Sequence, residues 1–295
     1  MLLTTACLML LCLSLEVVTR AGFRHISRIE SRIASQYNTA SALRRTPGKQ
    51  TILFLGNSLP LEGIDIPQLR TAMGNHTLCV PFFIEQTQYL DWYFGMRRLF
   101  QGGSKPDVVV LSMNIYHLMS PAIRGDYSAF YLFRTADIPE IGRETQSNLT
   151  TTSGLLLSHF SLFYAGRTPL RNFLLTRVDR PYSDLLHELS THPASSAAAG
   201  TAEEILTRRL REVRTLSESY GIRFVFLLPP GFGSESALTS SAERAGAPVL
   251  IPIHLNRLDR DKFRDGFHLN EAGSAIFTRR LAEELRQYLD GKQVD

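Results

Sequence analysis

The chain has 295 residues, 44% of them hydrophobic and 20% charged, enough apolar material for the core of one large α/β domain or two small ones and too much for a disordered chain. Its formal net charge of +4 comes from scattered arginines with no dense basic block, which argues against nucleic acid as a partner. Three cysteines (Cys7, Cys12, Cys79) and eight dispersed histidines offer neither a disulfide framework nor paired zinc-ligand spacing, so no metal or other cofactor is expected.

In chain order, the first segment is MLLTTACLMLLCLSLEVV, apolar over most of its length and interrupted by Glu16. That is the lower limit for a membrane-spanning helix. Residues 1–19 read as a membrane anchor; the competing readings are a cleaved signal peptide, against which stand the missing basic leader and small-x-small cleavage site, and an ordinary buried helix. Arg20, Arg24, Arg28 and Arg32 all follow the segment, and the positive-inside rule alone would keep the rest of the chain cytoplasmic. Glu16 is costly within a bilayer and marks either a partner contact there or a side chain reaching the interface. Over residues 20–49, Ile26, Ile29 and Ile33 recur at helical spacing, which predicts an amphipathic stalk helix ending before Pro47-Gly48.

A domain over 50–295 follows. Thr51 to Leu55, Leu78 to Ile84, Asp107 to Leu111, Arg223 to Leu228 and Val249 to Ile253 have the length and β-branched content of buried parallel strands. Between them lie helical patterns at Gln88 to Phe100 and Thr201 to Tyr220. The second has a Thr201/Glu204 capping box and Gly221 as its stop. A last helix runs from Asn270, with Phe277, Leu281, Leu285 and Leu289 on one face, to Gly291. The alternation predicts a three-layer α/β/α sandwich on a parallel sheet of about five strands, preceded by the N-terminal membrane helix. It fails over 116–200, where an aromatic-rich segment predicts a mainly helical insertion, serving as a lid or acceptor platform or packing on membrane or core.

Ser58, in Gly-Asn-Ser after the first strand, stands where a helix N-terminus favours developing negative charge; by itself it reads equally as a helix cap. Asp265 and His268, three residues apart in DGFHLN, form a local acid-base unit of the kind that activates a serine hydroxyl. Either alone reads as a turn cap or packed residue. Asn114 follows the third strand.

The conjunction and its order resemble the SGNH (GDSL-type) hydrolase superfamily over essentially all of Thr51 to Leu289. With an apolar segment before a GNSL-type serine motif, the chain looks like the membrane-anchored, extracytoplasmic branch that includes O-acetylating proteins of alginate and other envelope glycans. The resemblance implies a soluble domain in the periplasm or at the cell surface. It makes Ser58 the nucleophile, His268 the general base and then acid, and Asp265 the carboxylate orienting the imidazole. Asn114 and the Ser58 N–H become oxyanion donors. Its substrate would be an acylated small molecule or carbohydrate, attacked through an acyl-serine with water or a sugar hydroxyl as acceptor; Glu16 and the arginine-rich stalk make a membrane acyl-donor protein a further candidate partner. Asn57 stands where the commoner motif has Asp, Ser112 where it has Gly and Ile115 where it has Asp. The usual glycine after the second strand is missing from Ile84-Glu-Gln-Thr87, so either the N–H of Gln86 or Thr87 supplies the third donor or that donor is missing. These departures support a rival reading, a catalytically weak or inactive glycan-binding scaffold on the same fold.

Overall fold

The computed structural model describes residues 2–167 and 201–291. The described elements are, in order, α1 (Leu2–Ile26), α2 (Arg28–Ser41), β1 (Gln50–Gly56), α3 (Ser58–Gly63), α4 (Ile66–Met73), β2 (Thr77–Phe83), α5 (Tyr89–Gln101), β3 (Val108–Ser112), α6 (Ile115–Met119), α7 (Asp126–Tyr131), α8 (Ile138–Glu144), α9 (Leu149–Phe160), α10 (Leu162–Ala165), α11 (Ala202–Ser219), β4 (Arg223–Leu227), α12 (Ser236–Ala245), β5 (Val249–Leu250) and α13 (Glu271–Leu289). They form two compact units, one from residues 33–123 with 201–291, the other from residues 2–32 with 124–167.

The first unit is built on a five-stranded sheet, order β2-β1-β3-β4-β5, parallel throughout. The inner strands β1, β3 and β4 are buried on both faces over almost their whole length, which is why they read as unbroken apolar runs. On one face Ile52, Phe54, Val108, Val110, Val225 and Leu227 pack with Leu69 of α4 and Phe277, Leu281 and Leu285 of α13. Against the other lie α5 and α11, in contact with each other. The result is the expected α/β/α sandwich. Four strands fall within a residue or two of expectation; β5 stops at Leu250 rather than Ile253, because Pro252 has no N–H to donate to a ladder. The capping box of α11 forms as its sequence indicates, with Thr201 N–H donating to Glu204 (3.0 Å) and Glu204 N–H to the Thr201 hydroxyl (3.2 Å).

The expected stalk is revised. Its first residues continue α1, and the chain breaks at Ser27, whose hydroxyl accepts the Glu30 N–H at 3.2 Å and starts a new helix. The break shifts the helical phase: Ile29 is exposed and Ile33 buried, while the Ile26 side chain lies outside the described residues. The second half of α2 belongs to the sandwich. Gln36 accepts the Phe83 N–H, and Ser104 and Lys105 donate to the carbonyls of Ala40 and Leu43.

In the second unit α1 is long and apolar enough over Leu2–Gly22 to cross a membrane. Glu16 is taken up within the chain: it accepts from the Ser161 hydroxyl (2.7 Å), Leu162 N–H (2.9 Å) and Phe163 N–H (3.1 Å) and pairs with Arg20. Buried Glu30 accepts the hydroxyls of Tyr127 and Tyr131, so part of the aromatic cluster serves to satisfy a buried carboxylate. The described part of the insertion is helical; its remainder, 168–200, lies outside the described residues.

Candidate active site

Register explains how residues distant in sequence meet. β1 lies between β2 and β3, so the chain leaves it in one direction to β2 and returns on the other side to β3. The β1/β3 gap is the switch point at which open α/β sheets bind ligands, beyond the carboxyl ends of the strands. Gly56 pairs with Ser112 across it, and two residues further on each strand come Ser58 and Asn114. Both turns are capped alike: Asn57 Oδ1 accepts the Leu59 N–H (3.0 Å) to start α3, and Asn114 Oδ1 accepts the His117 N–H (2.8 Å) to start α6.

The third element is the loop before α13. Phe263 and Leu269 are buried in the core and bridge each other as an antiparallel pair, which closes residues 264–268 into a tight turn. Within it Asp265 Oδ1 accepts the N–H groups of Phe267 (3.1 Å) and His268 (2.9 Å), and Gly266 supplies the left-handed φ of 84°. Arg264 ties the turn to α3 through Glu62 at 2.7 Å. The turn points His268 back at the sheet: its Nδ1 lies 2.8 Å from Asp265 Oδ2 and its Nε2 2.9 Å from Ser58 Oγ. A proton on Nδ1 donated to Asp265 leaves Nε2 to accept from the serine hydroxyl. Asp265 therefore both caps the turn and orients the ring.

The charges suit this arrangement. Burial raises the Asp265 carboxyl, but the His268 N–H, the His268 ring, the Phe267 N–H and the charge of His268 outweigh it and hold the group well below the usual carboxylate range. His117 is pushed down to about 4, first by burial and then by His268, and its Nδ1 is buried with no hydrogen-bond partner among the described residues. Both groups thus keep one charge state through mildly acidic pH: Asp265 ionised, because its depressed pKa lies far below, and His117 neutral. Neither group therefore adds a proton to the acid limb of log kcat/KM, which is expected to fall with a slope no steeper than one; a two-proton limb in a pH-rate profile would contradict this.

Asn114 has its oxygen committed to the α6 cap, which turns its amide N–H groups away from the helix. Arg209, buried on α11, donates to the carbonyls of Leu118 (2.6 Å) and Ser120 (2.7 Å) and so holds the far end of α6. Sequence reasoning missed both His117 and Arg209. The Asn-x-x-His capping spacing was a signal for the first; nothing local announces the second. The two candidates for a third donor differ in burial. Gln86 is exposed with φ 63°, the left-handed conformation a glycine would take most readily. Thr87 is buried, its hydroxyl donating to Ile84 O (2.6 Å) and accepting from the Trp92 indole (2.8 Å), its carbonyl accepting Asn57 Nδ2 (3.3 Å). The last contact accounts for Asn rather than Asp at position 57: a carboxylate could not donate to Thr87 and would face its carbonyl unpaired.

A cleft of about 270 Å³ opens beside Asn114 and the Gly266-Phe267 turn, with Leu255 and the exposed rings of Tyr116, Phe232 and Phe267 along it. Among the described residues no group of three His, Cys, Asp or Glu could hold a metal ion.

No family model and no curated protein matches the chain. Among solved structures it is similar to a GDSL-like lipase from Bacteroides thetaiotaomicron, at 11% identity over 88% of this chain and 97% of that one with a TM-score of 0.44. It is also similar to TesA, at 11% identity over 80% of this chain and 98% of that one with a TM-score of 0.39. Both likenesses are distant, and the site rests on its own geometry.

Proposed function

We propose that the chain is a serine-dependent acyl-ester enzyme of the SGNH (GDSL-type) superfamily. One observation carries this: Ser58, His268 and Asp265 form a continuous hydrogen-bonded relay between groups 210 residues apart in sequence. Ser58 Oγ attacks the ester carbonyl as its proton passes to His268 Nε2, and Asp265 stabilises the imidazolium. The oxyanion accepts from the Ser58 N–H and Asn114 Nδ2. Its collapse expels the alcohol, which takes the proton from His268, and a water or sugar hydroxyl then resolves the acyl-serine by the reverse path.

The proposed substrate is an O-acylated carbohydrate of the cell envelope, with transfer to a second sugar as the alternative to hydrolysis. The exposed aromatic rings of the cleft beside Asn114 suit the apolar face of a sugar. In this reading α1 is a retained anchor, since cleavage after it would remove the Glu16 cap from α10, and the sandwich is extracytoplasmic.

A fluorophosphonate probe tests the chemistry: wild type should label and Ser58→Ala should not, and equal labelling would refute the proposal. Asn114→Ala should cost about 10²–10³ in kcat, read as a fall in aryl-ester turnover at unchanged KM. A loss below threefold would remove Asn114 from the oxyanion hole.

A further inference from the structure

In the unit formed by residues 2–32 and 124–167, α9 is amphipathic in an unusual sense. Leu155 and Ser158 are buried, and the helix packs on α7 and α8. Its other face carries Leu149, Leu156, Leu157 and Phe160, which are 83%, 40%, 55% and 63% exposed. At the helical rotation of roughly 100° per residue these four lie, with Ser153, within an arc of about 100°. Four large apolar side chains in one stripe are more than scattered surface hydrophobics explain.

What covers the stripe is indicated by where it sits on α1. Phe160, at the end of α9, has its carbonyl 3.1 Å from the Arg20 guanidinium, and the next turn, α10, is capped by Glu16. Glu16 and Arg20 are the first charged side chains after the apolar run of α1, whose leucines and valines are themselves exposed. The C-terminal end of α9 is thus fastened to the segment where that run gives way to charge, the level at which a bilayer's hydrocarbon meets its headgroups. We propose that α9 is a membrane-surface helix, its leucine and phenylalanine face inserted among the lipids at the level where α1 leaves the bilayer. Apolar side chains in the acyl boundary and polar ones towards the protein are what an interfacial helix requires.

The inference rests on α1 as a membrane segment and is independent of the acyl-ester chemistry. It is tested on the full chain in phosphatidylcholine vesicles whose acyl chains are brominated near the headgroups, with tryptophan placed at single positions; the native Trp92 is buried in the core and serves as the background. Leu149→Trp and Phe160→Trp should each lose at least about half of the added emission to bromine, and Thr151→Trp, exposed on the same helix outside the stripe, should lose little. Leu10→Trp reports the anchor separately. Quenching at position 10 with none beyond the Thr151→Trp level at 149 and 160 overturns the α9 proposal and leaves the anchor standing. No quenching at position 10 overturns both. A blue-shifted but unquenched emission at 149 and 160 puts protein rather than lipid on this face and also overturns the proposal.

Discussion

Asp265→Asn should lower kcat by about 10⁴ with little change in KM and little change in melting temperature. The amide keeps an oxygen that can accept the Phe267 and His268 N–H groups, so the turn closed by Phe263 and Leu269 survives. What changes is the group facing His268 Nδ1: an NH2 in place of a carboxylate oxygen at 2.8 Å. The imidazole then carries its proton on Nε2, where it confronts the Ser58 hydroxyl instead of accepting from it, and the positive charge that develops on the ring has no counter-ion. Asp265→Ala removes both functions and should cost stability as well. Comparing the two variants separates orientation of the ring from construction of the turn. Turnover of Asp265→Asn within tenfold of wild type would show that the carboxylate only shapes the loop.

Gly56→Ala should destabilise the sandwich by about 3 kcal/mol and abolish activity. A Cβ at this position would lie 2.2 Å from the Ser112 carbonyl oxygen and 2.6 Å from Pro60 Cγ. The first neighbour is backbone of the adjacent strand, so relief requires β1 and β3 to part at the rung that positions both Ser58 and Asn114. In a domain of this size the cost corresponds to a fall of roughly 10 °C in melting temperature, measurable by calorimetry. An unaltered melting temperature would mean that the strand ends yield easily, and that close pairing of Gly56 with Ser112 is not what sets the site.

These two positions also mark what was and was not legible in the chain. Asp265 and His268 could be read together because their partnership is local: three residues of a turn suffice to set one beside the other. The alternation of strands and helices, the Thr201/Glu204 cap and the apolar strand runs were legible for the same reason, since periodicity and capping are properties of neighbouring residues. The three-layer class and the Asp265–His268 pair were therefore legible in the sequence, while Ser58 entered through the resemblance that the order of the motifs carries.

The tertiary structure decided the rest. The strand order β2-β1-β3-β4-β5 and the Gly56 to Ser112 rung, which bring Ser58 level with Asn114, depend on packing spread over the whole sheet. So do the tethers from Arg264 to Glu62 and from Arg209 to the end of α6, each made by a charged side chain that in the sequence looks like solvated surface. The break at Ser27 has a local signal, a serine three residues before an acid, lying inside the isoleucine stripe that predicts a single stalk helix. Only the buried tyrosines that receive Glu30 and the core that receives Ile33 show which phase of the helix is buried. A local pattern states what an element is. Which face it buries, and what its ends hold in place, is settled by partners far along the chain, because burial and hydrogen-bond satisfaction are met by the fold as a whole.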